Sequence, residues 1–206
     1  METGGRLIDA TGHPAVRLAG PRAEAVVYLP DPSSGYYRGP RFDWSGIIAS
    51  LRLDGHEVFG EWKDGPRDPL GNDFVVGPAG EFGMGPDTGN PSPVGYDEAP
   101  VDGTFLKIGA GERRKTGDDP YHFGHAYPLV SAPRWRIRWG ASWMECREEA
   151  ATAAGWGYRY LKHLEIDGAG PAMTIRYALE NTGARAYRQT WYSHNFIRLD
   201  DQPIGT

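Results

Sequence analysis

Six consecutive residues, Arg134–Trp139 (RWRIRW), constrain the fold most. Trp135, Ile137 and Trp139 fall on one side and Arg134, Arg136 and Arg138 on the other, a strict two-residue period. A helix would spread that pattern around its circumference, whereas a strand sorts it into one apolar and one charged face. Similar reading predicts strands at Glu24–Leu29, Ile47–Leu53, Thr104–Gly109, Tyr158–Ile166 and Met173–Leu179, with a long last one at Tyr187–Leu199. Asp54-Gly55 reads as a hairpin turn with His56–Phe59 pairing back, and Asp167-Gly168 and Asn181-Thr182-Gly183 as further turns. The 29 glycines and 17 prolines are scattered between apolar runs, as turns between many short strands require. Only Glu148–Ala154 offers a short helical pattern. Residues 62–100, dense in Gly, Pro and Asp, read as one long irregular loop. The expected fold class is mainly β: an antiparallel β-sandwich or barrel, forming one domain over residues 1–206.

Bulk properties exclude several functions. The net charge is −5 and no long basic block exists, so nucleic acid is not the expected partner. The single cysteine, Cys146, rules out an intrachain disulfide framework and reads as a buried thiol. The first residues, METGGRLIDATGHP, lack the basic and apolar regions of a signal peptide. No run approaches the roughly 20 apolar residues of a membrane span. A cytoplasmic protein without a membrane partner is therefore expected, although a processed secreted form would look the same.

The segment Trp191–Asp200 carries the sharpest functional signal. Alternation places Tyr192, His194, Phe196 and Arg198 on one face and Trp191, Ser193, Asn195, Ile197 and Leu199 on the other. A phenol, an imidazole and a guanidinium on one face suit a polar ligand better than a core. A histidine packed among aromatics with both nitrogens satisfied is the competing reading.

The run TWYSHNF, within MTIRYALENTGARAYRQTWYSHNF, resembles the histidine strand of the aldose 1-epimerase (galactose mutarotase) superfamily. The segments YYRGPRFDWSGII, GYDEAPVDGTFLKIGAGERRK and SHNFIRLDDQPIG are similar to a bacterial branch of mutarotase-like proteins, and the likeness runs from about Val26 to Gly205. The resemblance implies a galactose mutarotase-like supersandwich and a sugar or oligosaccharide as ligand. It implies that His194 is the general acid toward the ring oxygen of a pyranose while a carboxylate takes the anomeric proton. The ring then opens and recloses with the other configuration. No cofactor is implied.

In that superfamily the catalytic glutamate follows on a later strand, whereas this sequence ends twelve residues after His194. The resemblance therefore implies a sandwich lacking its last strands. Within the chain, the candidate bases are Glu81, among glycines in the expected loop, and Asp43, between Arg41 and Trp44, with pairing to Arg41 as its alternative role. Arg38 and Arg41 flank the Gly39-Pro40 turn and are candidate forks for hydroxyl, carboxylate or phosphate groups. Lys107 and Tyr192 complete the candidate substrate-binding set. A non-catalytic sugar-binding sandwich and a lyase acting on a uronic acid stand as alternatives on the same fold.

Other motifs carry less. His122 and His125, three apart, would point to opposite faces of a strand, so no metal site is expected. Gly109–Lys115 (GAGERRK) lacks the ending of a phosphate loop. Trp156-Gly157-Tyr158 reads as core or hairpin packing before a sugar-stacking edge.

Overall fold

Residues 6–61 and 65–203 are described by a computed structural model. β1 (Arg6–Ile8), β2 (Pro14–Ala19), β3 (Ala23–Tyr28), β4 (Ile47–Leu53) and β5 (His56–Glu57) form an antiparallel meander in sequence order. Asp54 and Gly55 both take positive φ, 50° and 88°, as the two central residues of a tight hairpin require. β6 (Gly77–Phe82) follows, then a three-stranded sheet of β7 (Thr104–Lys107), β8 (Gly111–Arg114) and β9 (Leu129–Ser131). β10 (Trp135–Trp139), β11 (Trp143–Ala151), β12 (Gly157–Ile166) and β13 (Met173–Asn181) form a four-stranded antiparallel sheet. β14 (Trp191–Phe196) returns to pair with β6, and β15 (Arg198–Leu199) and β16 (Gln202–Pro203) make a last short ladder.

The chain is thus mainly β with several antiparallel sheets, and no α-helix occurs among the described residues. Two of the sheets pack face to face. Val16, Leu18, Ala25, Val27 and Leu51 of the first meet Met144, Cys146, Leu164 and Ile166 of the four-stranded sheet. Ile137 and Trp139 pack against the same core from β10, while Arg136 and Arg138 stand in solvent, as their alternation requires. Leu164 is fully buried, and its truncation to alanine would cost about 2–5 kcal/mol. Cys146 is likewise buried and unpaired. No helix among the described residues is long and apolar enough to cross a membrane.

Three expectations are corrected. The stretch 62–100, of which 62–64 lie outside the described residues, is not one irregular loop. It contains β6, whose six residues are all buried, and a 3-10 turn at Pro86–Thr88. Its glycines serve close approach: a Cβ on Gly77, at φ +72°, would lie 2.6 Å from the Ile48 carbonyl oxygen. The short helix over Glu148–Ala154 is absent, because Glu148–Ala151 continue β11 and pair with Gly157–Tyr160 of β12, and residues 152–154 turn toward β12. The last strand does not run unbroken from Tyr187 to Leu199. It begins at Trp191 and is interrupted at Ile197, which bridges to Phe59.

Candidate functional site

β6 is the divider around which two polar clusters form. Glu81 is opposite Tyr192, and Ala79 opposite His194, so these four side chains share one face of the β6–β14 ribbon. Gly80 and Phe82 point to the other face, toward Asp43 and Tyr160.

On the first face Glu81 is fully buried. Its Oε2 accepts hydrogen bonds from Arg41 Nε at 3.0 Å and from His194 Nε2 at 2.9 Å. Its Oε1 has no hydrogen-bond partner, and Lys107 Nζ lies 4.0 Å away. Burial by itself would raise the Glu81 carboxyl. The His194 hydrogen bond and the charges of Lys107 and Arg41 outweigh it and hold the group below its ordinary value. Burial pushes the Lys107 ammonium down to about 7 against the opposing pull of Glu81. That ammonium donates to the Gly83 carbonyl and to the Tyr121 hydroxyl, both at 3.0 Å. An anionic Glu81 fixes the His194 tautomer, since a carboxylate can only accept the Nε2 proton. Nδ1 is then the ring nitrogen left for another partner.

The cluster has a way out to solvent. Glu81 and Lys107 are sealed, but His194 and Arg41 are partly exposed and Tyr192 is half exposed. Aromatic rings hold the exit in place. Phe42 meets His194 edge-on at 5.2 Å, Tyr192 does so at 4.7 Å, and the Arg41 guanidinium lies 4.2 Å from the Phe123 ring centre. Asp73, half exposed, lies 3.7 Å from the other end of the Arg41 guanidinium.

On the second face Asp43 accepts hydrogen bonds from Ser45 and, at 2.8 Å, from the Tyr160 hydroxyl. Lys162 Nζ lies 3.5 Å away and donates to the Ser45 carbonyl at 2.7 Å. Burial would lower the Lys162 ammonium, but Asp43 outweighs it and holds it above its ordinary value. Glu148 accepts from Tyr158 at 2.7 Å and from the Gly109 amide at 3.0 Å. No ion pair reaches Glu148 among the described residues, and burial pushes it up to about 8. Gly109 is obligatory here: its φ is +78°, and a Cβ would lie 2.5 Å from Asp43 Oδ1. All of these side chains are buried.

His194, Glu81, Arg41, Lys107 and Tyr192, five of the residues singled out in the sequence, therefore come together. Asp43 does not join them, nor does it pair with Arg41. It belongs to the sealed cluster, with partners more than a hundred residues away in β12. Arg38 is also apart: its Nε is buried without a hydrogen-bond partner, and no hydrogen bond or ion pair joins it to Glu81 or His194 among the described residues. Glu81 is not an exposed loop acid but a buried strand residue. His122 and His125 sit in a turn, near Asp87 and on Thr116 respectively. The sequence reading missed Asp73, Tyr121 and Phe123. Of these, only Asp73, in the Gly71-Asn72-Asp73 turn, had a local signal.

A scan against protein-family models and searches of curated proteins and of solved structures gave no match to this chain.

Proposed function

We propose that the chain is a carbohydrate-active protein of the aldose 1-epimerase type, with a galactose mutarotase-like sandwich, and that the Tyr192–His194 face receives the sugar. The observation that carries this reading is the Glu81–His194 hydrogen bond on adjacent strands, with the carboxylate sealed and the imidazole reaching solvent. His194 is the group that gives and takes a proton at the ring oxygen, through Nδ1. Glu81 acts through His194 rather than on the sugar, because it is buried and only 2.9 Å from the imidazole, which leaves no room for a ring between them. Asp73, across Arg41, is then the carboxylate for the anomeric hydroxyl. Tyr192 and Phe123 supply apolar walls.

A second reading, a sugar-binding domain without catalysis, draws on the same close contact, since Glu81 is no free base. A uronate lyase has less support: Arg41, which would hold the carboxylate, is already engaged by Glu81 and Asp73.

Polarimetry of fresh α-galactose and α-glucose tests the proposal. The wild type is expected to speed mutarotation beyond buffer, and His194→Ala and Asp73→Asn to lose that gain. Sugar binding without acceleration in the wild type would select the second reading.

A further inference from the structure

A separate feature lies on the outer face of the four-stranded sheet, away from the core it shares with the first sheet. Arg134, Trp135, Arg136, Arg138, Glu145, Arg147 and Glu149 line a groove of about 470 Å³ along β10 and β11. Arg136 is directly opposite Arg147 in the ladder, a like-charge pair that costs stability. The available carboxylates do not neutralise it. Glu145 Oε1 alone serves both Arg138, at 2.7 Å, and Arg147, at 2.9 Å. Glu149 is taken by Arg159 at 3.0 Å, which also bonds Glu180. Neither Arg134 nor Arg136 has an ion pair among the described residues, although Glu149 lies within electrostatic range of Arg136. Four arginines against two glutamates leave the groove two positive charges in excess, on a chain whose net charge is −5.

We propose that this groove binds a dianionic oxyanion, a phosphoryl or sulfuryl group, held by Arg134 and Arg136 with Arg147 across the ladder. The charge of such a group matches the excess. Guanidinium forks suit its oxygens, and binding relieves the Arg136–Arg147 repulsion. This proposal is independent of the sugar site, which lies on β6 and β14.

The test is an amide NMR titration of the whole chain with sodium sulfate and, separately, inorganic phosphate, at ionic strength held constant with sodium chloride. Saturable shifts confined to residues 134–149 are expected with both anions. Arg136→Ala and Arg134→Ala should each weaken binding about tenfold. Arg176→Ala, on the same face but paired with Glu165 at 2.8 Å, should leave it unchanged. In chloride alone Arg136→Ala should melt no lower than wild type, which separates lost binding from lost fold. Shifts that never saturate, or equal affinity in wild type and Arg136→Ala, would overturn the site.

Discussion

The two faces of β6 bury carboxylates equally well, yet they surround them differently. Glu81 has two cationic side chains and a histidine about it and is held anionic. Among the described residues Glu148 accepts from a phenol and a backbone amide, both neutral donors, and burial drives it toward its protonated form at neutral pH. Burial is the same force in both places, so the sign of each shift is decided by what sits beside the group: the His194 hydrogen bond and the charges of Lys107 and Arg41 at Glu81, neutral donors at Glu148. The exit to solvent is the second difference. The Glu81 cluster reaches water through His194 and Tyr192, whereas Asp43, Tyr160 and Lys162 are closed on all sides. The first arrangement is open to solvent, and the second is sealed from it.

Removing charge from the first face should have the largest effect. Glu81→Gln leaves Arg41 and Lys107 without their shared counter-charge and should cost about 3–5 kcal/mol in urea unfolding at neutral pH. Adding Lys107→Met to that variant should recover part of the loss, because the two residues act as one unit.

The pH dependence sharpens the contrast, since the two carboxylates give opposite slopes. Glu81 is depressed in the folded state, so its contribution is present above its ordinary value of 4.5 and is lost as pH falls through the lower folded value. Glu148 is raised to about 8, so the folded state keeps a proton that the unfolded state releases. Stability is then lost as pH rises from 4.5 to about 8. Relative to wild type, Glu148→Gln should therefore gain on the order of a few kcal/mol between those limits, as unfolding curves at a series of pH values would show.

Smaller effects complete the series. Tyr160→Phe removes one hydrogen bond to a buried carboxylate and should cost about 1.5–3 kcal/mol. Tyr192→Ala, at a half-exposed ring, should change stability by less than about 0.5 kcal/mol while weakening galactose binding in a calorimetric titration.

The strands were legible wherever one face is apolar and the other charged. Trp135, Ile137 and Trp139 announce β10, and Asp54-Gly55 announces its hairpin. β11 was hidden because the inward-facing Glu148 breaks the apolar alternation and the run of Glu and Ala imitates a helix. β6 was hidden because a strand buried on both faces does not alternate, and its Gly and Pro imitate a turn. The histidine, the glutamate and their cations were readable as chemistry. Their assembly was not, because it depends on β14 returning to pair with β6 across most of the chain. Asp43 was misplaced for the same reason: its partners, Tyr160 and Lys162, are supplied by β12.

The comparison between the two faces is tested most directly by the mutarotation rate of α-galactose in two variants measured side by side, His194→Gln and Tyr160→Phe, at a temperature where both are folded. The account predicts that His194→Gln falls to the rate of buffer while Tyr160→Phe keeps the wild-type rate. An undiminished rate in His194→Gln, or an equal loss in both, would contradict it.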